Sequence, residues 1–354
     1  MNRINVMDCT LRDGGWVNGF NFGRNEMREI LSGIARAGVE FIEMGYVEEN
    51  AAREEGFSMY NDFSMLEKNF SDMPGLSEIE KYIMIDYGKF PIEKIPDAES
   101  EYGKYTDGIR LCFHKKDYRD AVEMGKKILD KGYKLIIQPM VVSRYSDDDL
   151  KELMELVMKE TPKAKAFYIV DSFGVMDPEE TTHRLMLVDG YLDENISVGT
   201  HIHNNRDLCM INAEAACRLT KEKSSEHFAT GRELYIDSTL GGLGKGAGNL
   251  QTEKIVEYLN TKFYKGYNES MMQNMNEKFI EPLKDRFVWG FSEEYVLTSV
   301  YRATPTYAKM LYREYGLTLD ELKEFLMNMP EEKKDSFDKE FADAYVKEMR
   351  GEYI

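Results

Sequence analysis

Asp8-Cys9-Thr10-Leu11-Arg12-Asp13-Gly14-Gly15 follows the first apolar run of the chain, Ile4 to Met7, where a short strand gives way to a loop. An arginine, an aspartate and two glycines at such an exit make poor core and good site material. Far downstream, Thr200-His201-Ile202-His203-Asn204-Asn205 ends another apolar run. Two residues apart on a strand, His201 and His203 project from one face. A carboxylate and two imidazoles brought together from two strand ends are the minimum set for a divalent cation. The spacing therefore predicts that these two exits meet.

Working outward, strands and helices alternate. Apolar runs predict strands at Ile4–Asp8, Val39–Gly45, Tyr82–Tyr87, Gly108–Phe113, Tyr133–Val142, Ala166–Val170, Ile196–His203 and Leu234–Asp237. Helical spacing fills the gaps, over Asn25–Ala37, Asp117–Asp130, Asp147–Lys159, the stretch opened by Pro178, Asp207–Thr220 and Leu250–Asn260, with a short helix at Asp62–Asn69. About eight strand-then-helix units in roughly 265 residues match a parallel (β/α)8 TIM barrel. A doubly wound open sheet is the rival. The barrel is favoured because polar candidates follow strands one, two, four, six, seven and eight, and only a closed barrel brings those ends to one face. After about Tyr267 no strand pattern returns. Helices are expected at Glu277–Phe287, Glu293–Arg302, Thr306–Tyr315, Leu319–Met327 and Asp335–Met349. The expected organisation is a catalytic α/β barrel over 1–265 and a helical C-terminal domain over 266–354.

The bulk numbers set limits. The chain has 354 residues, 42% of them hydrophobic, which is ample for a core. Its formal net charge of -18 argues against nucleic acid and anionic membrane as partners, which need basic patches. An anionic small substrate needs only one or two local cations. The apolar runs fall short of a membrane span and no signal-peptide core opens the chain, so a cytoplasmic protein is expected. Cys9, Cys112, Cys209 and Cys217 form no Cys-x-x-Cys pair and read as free thiols.

Further candidates gather at the same strand ends. Glu43 is a carboxylate inside the apolar run Phe41-Ile42-Glu43-Met44-Gly45, costly unless paired, and Arg12 is its natural partner one strand over. The pair can be purely structural, and a fixed arginine there can also hold a carboxylate and stabilise a developing enolate; the two readings are compatible. The Gly-rich segment from Asp237 to Asn249 reads either as a phosphate-cradling loop, though without the Gly-Lys-Ser/Thr of a P-loop, or as glycines that let backbone pass close to a metal and its ligand, with Asn249 offering an amide oxygen. Asp171-Ser172-Phe173-Gly174 either caps a helix or presents a hydroxyl to a carboxylate. His114 ends strand four, at the same rim.

Together, Thr10-Leu11-Arg12-Asp13-Gly14, the His-x-His and Gly244-Lys245-Gly246-Ala247-Gly248-Asn249 resemble the DRE-TIM metallolyases, the HMGL-like enzymes. These comprise the 4-hydroxy-2-oxovalerate aldolases, the hydroxymethylglutaryl-CoA lyases and the isopropylmalate synthases. The Gly-rich turn and Val170-Asp171-Ser172 are most similar to the aldolases. The resemblance implies Asp13, His201 and His203 as ligands of Mn²⁺ or Mg²⁺, with Asn249 as a further ligand. It implies Arg12 as the enolate-stabilising cation oriented by Glu43, and Ser172 near the substrate carboxylate. One departure is clear: where the aldolases carry a basic histidine three residues after the metal aspartate, this chain has Trp16. Trp16 then becomes a substrate-contacting residue, and His114 and Tyr295 are the candidate acid/base groups.

The expected activity is metal-dependent making or breaking of a carbon–carbon bond through the enolate of a 2-oxo acid. The partners are a 2-oxo acid and an aldehyde, sugar-derived ones included, and a homodimer through the C-terminal helices is a further expectation. An acyl-CoA-using Claisen synthase and a catalytically silent metabolite-binding barrel are the alternatives. A Schiff-base aldolase is disfavoured because strand six offers no lysine, Lys163 and Lys165 preceding it.

Overall fold

A computed structural model describes residues 3–52, 54–71, 73, 79–221, 227–229 and 231–351. Among these residues, nine parallel strands run in chain order as β1 (Ile4–Asp8), β2 (Phe41–Val47), β3 (Met59–Tyr60), β4 (Glu80–Asp86), β5 (Gly108–Phe113), β6 (Lys134–Pro139), β7 (Ala166–Asp171), β8 (Ser197–Ile202) and β9 (Leu234–Ser238). Each pairs with its neighbour in the order β1-β9-β8-β7-β6-β5-β4-β2, and β1 pairs back onto β2, closing an eight-stranded barrel. The remaining strand, β3, hangs on the upper end of β2, where the register of β2 against β4 shifts between Glu43 and Tyr46. A run of two residues carries no period by which it could be foreseen.

The strands are buried on both faces, which is why they read as continuous apolar runs. The outer faces pack against helices at Arg24–Arg36, Tyr118–Asp130, Asp147–Glu160, Pro178–Tyr191, Cys209–Arg218 and Thr252–Phe263, with a shorter one at Ser64–Phe70. The short helix after β8 opens at Cys209 because Asp207 sits in the left-handed region (φ 58°), which no helix interior accepts. Strand β6 stops at Pro139, short of the expected Val142, and Val141 also has positive φ.

Past residue 265 the barrel core continues. The helix Glu269–Met275 lies on Arg24–Arg36, and Met272, Met275 and Ile280 belong to the barrel's own hydrophobic core. The helix expected over 277–287 is broken into a wide turn (Asn276–Ile280) and a tight one (Glu281–Asp285), since Pro282 has no N–H to continue it. Likewise Thr306–Ala308 passes at once into a wide turn, Lys309–Glu314. Glu293–Val300, Leu319–Asn328 and Lys339–Met349 are helices. These last segments share a second core built on Tyr307, Leu311, Phe325 and Leu326, into which Ala247 of the Gly-rich loop also inserts. Among the described residues no helix is long and apolar enough to cross a membrane.

Candidate metal centre and active site

The carboxyl-terminal ends of the barrel strands open into a cavity of about 470 Å³. Arg12, Asp13, Trp16, His114, Ser172, His201, His203 and Lys245 all line it, beneath Thr304, Pro305 and Phe337 of the C-terminal helices. Tyr295 does not reach it. That side chain is buried under the Arg313 guanidinium and lines a separate cavity of about 540 Å³ on the other side of Trp16 and Lys245. Glu43 lies beneath the floor, fully buried in the strand layer.

Asp13, His201 and His203 each offer a ligand atom, all within 4.8 Å of one another. The two imidazoles stand nearly perpendicular, ring centres 5.2 Å apart. On one side Asp13 accepts from Arg12 Nη1 at 2.7 Å; its other oxygen takes the amide nitrogen of Asn249. His203 Nδ1 is buried with no hydrogen-bond partner, as is the Asn249 amide oxygen. An unpartnered buried imidazole nitrogen beside a carboxylate fits a bound cation, because leaving it empty costs about 1–3 kcal/mol. The oxygen-plus-imidazole donor set suits a divalent ion. Asn249 braces Asp13 through its amide nitrogen, and its amide oxygen stays unpartnered.

Charge in this region is balanced through a buried network. Arg12 Nε donates to Glu43 Oε2 at 2.7 Å, and the same oxygen lies 2.9 Å from Arg110 Nη1. Arg110, fully buried, also pairs with Asp237 and lies 4.8 Å over the Tyr168 ring. One oxygen, Asp237 Oδ2, is shared between Arg110 and His201 Nδ1, the latter at 2.8 Å. That bond leaves Nε2 of His201 as its free donor atom toward the cluster. Burial alone would raise the Asp13 carboxyl; Arg12 and the two imidazoles outweigh it and hold it below the ordinary carboxylate range. Burial pulls His203 down to about 4, helped by Arg12, His201 and Lys245 and opposed by Asp13. Both groups therefore stand in the form that binds metal at neutral pH.

Arg110, Asp237 and Lys245 escaped the sequence reading as site residues. For the first two the only signal was a charge inside an apolar strand, the signal that marked Glu43. Ser172 Oγ accepts from the Val141 amide at 3.1 Å, which fixes the hydroxyl at the cavity edge. Trp16 lies in a single turn, Gly15–Asn18, its ring edge-on to Phe20 at 5.0 Å and tilted against Tyr46 at 6.1 Å.

Comparison with known proteins agrees with this geometry. The HMGL-like family model matches residues 113–276. The 4-hydroxy-2-oxovalerate aldolase of Carboxydothermus hydrogenoformans is 30% identical over 258 residues, 73% of this chain and 70% of the relative. The chain belongs to the HMGL-like family, the DRE-TIM metallolyases. Members of that family depend on a divalent metal, and the chain is an enzyme of this kind. An oxaloacetate decarboxylase of Mycobacterium tuberculosis is 27% identical over 255 residues, 72% of this chain and 69% of the relative. Among solved structures, the N-terminal domain of a candidate aldolase from Bacteroides vulgatus superposes with a TM-score of 0.70 at 23% identity, over 88% of this chain and 97% of that one. The carboxyl transferase domain of Rhizobium etli pyruvate carboxylase gives 0.72 at 12% identity, over 100% of this chain and 61% of that one. These two likenesses establish the barrel architecture alone.

Proposed function

We propose that this metallolyase cleaves or forms a carbon–carbon bond through the enolate of a 2-oxo acid, releasing or consuming pyruvate and an aldehyde. The observation that carries the reading is the convergence of Asp13, His201 and His203 at a cavity where Arg12 Nη2 is buried without a partner. The names of the aldolase relatives support it.

Asp13, His201 and His203 would hold Mn²⁺ or Mg²⁺. When bound, such an ion supplies Lewis-acid stabilisation of charge on a 2-oxo acid's oxygens. The remaining work belongs to the side chains. Arg12 is pinned through Nε and Nη1 to Glu43 and Asp13, so Nη2 is the donor left to face a developing enolate oxygen. Ser172 donates to the substrate carboxylate while its oxygen stays on the Val141 amide. His114 takes the proton of the 4-hydroxyl as the C3–C4 bond breaks. The electron pair of that bond moves into the enolate, the aldehyde departs, and the same imidazolium returns a proton to C3. Trp16 fills the position from which the aldolases' histidine works, so the base moves across the cavity to β5. Tyr295, in the other cavity, has no part in this scheme.

The test is a substrate screen with metal-loaded protein, read by pyruvate release from 4-hydroxy-2-oxo acids. Pyruvate release that EDTA abolishes is the expected result, and His114→Ala should lower kcat by roughly 10²–10⁴-fold. Consumption of acetyl-CoA with no pyruvate release would overturn the aldolase reading in favour of a Claisen synthase.

A further inference from the structure

The cavity contains a second cation with an unspent charge. Its carboxylates are engaged: Asp13 with Arg12 and Asn249, Asp335 with Arg144 at 2.6 Å, and Asp86 beside the Tyr46 hydroxyl. Lys245 differs. Half-buried, it has no ion pair or hydrogen bond from its ammonium among the described residues, only the face of the Trp16 ring 5.9 Å away. Burial depresses its pKa, against the charges of Asp13 and Asp86. A desolvated ammonium without a direct ion pair is costly in a folded chain.

The backbone presents this side chain deliberately. A Cβ at Gly244 would meet Asn249 Nδ2 at 2.2 Å and Asp13 Oδ2 at 2.8 Å, so the loop is drawn tight against the metal cluster. At Gly246 φ is +68°, a left-handed turn that suits glycine. Asn205 holds the next amide, that of Ala247, at 3.0 Å, and Gly248 N–H closes back on the Lys245 carbonyl at 3.1 Å. The loop is therefore fixed, and Lys245 is aimed into the wall shared by both cavities, next to Trp16.

Resting on the aldolase reading, we propose that Lys245, stacked over Trp16, selects substrates whose aldehyde half carries a distal anion, a carboxylate or a phosphate. Arg12 and the metal cluster take the oxo-acid end, and Lys245 takes the far end. The substrate is then a dianion or higher, longer than 4-hydroxy-2-oxovalerate, whose aldehyde half is uncharged.

The experiment is aldol addition of pyruvate by the metal-loaded full chain to propanal, succinate semialdehyde and glyceraldehyde 3-phosphate. The wild type should prefer one charged aldehyde over propanal at least tenfold in kcat/KM, and which one tells carboxylate from phosphate. Lys245→Met should cut that preference roughly 10–100-fold, through KM, while Lys245→Arg keeps most of it. Binding is read separately, by Trp16 fluorescence in a Trp289→Phe background titrated with succinate and with glycerol 3-phosphate. Here Lys245→Met should weaken the response at least tenfold. Anion binding that depends on Lys245 with no turnover for any pair would sustain this inference and defeat the aldolase reading. Turnover with an unchanged charge preference in Lys245→Met would do the reverse. An absence of anion response in the wild type also overturns the inference.

Discussion

Asp237 Oδ2 accepts from His201 Nδ1 and from Arg110 at once, and that one atom decides which imidazole nitrogen faces the cluster. Asp237→Asn keeps the shape but removes the charge that holds the tautomer. We expect Mn²⁺ affinity to fall roughly 10–100-fold, measured by titration calorimetry, with little change in far-UV circular dichroism. At this scale the sequence was legible where the residues are close together. His201 and His203 share a strand face, and Arg12 and Asp13 are adjacent, so their joint meaning needed no fold. Arg110 and Asp237 are 127 positions apart, and their pairing exists only because β5 and β9 project into one barrel interior. Lys245 was visible within the glycine run, but nothing in the run says that its side chain turns toward Trp16. Tyr295 is the converse: a residue picked for its chemistry that the helices carry into a different cavity.

Strand ends set the next level. Asp171 closes β7 and accepts from the Met176 amide at 2.8 Å, fixing the turn that positions Ser172. Burial raises its carboxyl from 3.8 to about 6, against the lowering effect of backbone hydrogen bonds. The folded state therefore binds this proton more tightly than the unfolded chain. The stability it contributes is fully present below about pH 3.8 and is lost as pH rises through about 6. Asp171→Asn cannot ionise, so its urea midpoint should gain on the wild type as pH is raised from 4 to 8; parallel curves would contradict this. Elements were the most readable level of the chain. Parallel strands buried on both faces give unbroken apolar runs, and helical spacing marks the helices between them, as over Asp147–Lys159. Failures fell where local rules intervene: Pro282 inside an expected helix, the left-handed Asp207, and a strand of two residues.

At the scale of the molecule, the C-terminal helices roof the cavity that the barrel opens. Arg144, just beyond β6, donates to Asp335 at 2.6 Å, to Glu331 at 2.8 Å and to the Arg302 carbonyl at 3.1 Å. These contacts hold the Asp335–Phe337 segment over the site. Arg144→Ala should loosen that roof by about 1 kcal/mol, seen as a KM for the oxo acid raised roughly fivefold with metal affinity unchanged. That the tail is helical could be read from its residue pattern; that it completes the cavity could not, because its contacts to the barrel are long-range polar contacts and a shared loop.

The account depends on one cation held by Asp13, His201 and His203. Titration of metal-free protein with Mn²⁺, followed by calorimetry, measures this directly. The wild type should take up one equivalent, and Asp13→Asn should bind at least 100-fold more weakly while its thermal unfolding remains cooperative. Equal binding of one equivalent by Asp13→Asn would contradict the assignment of the centre.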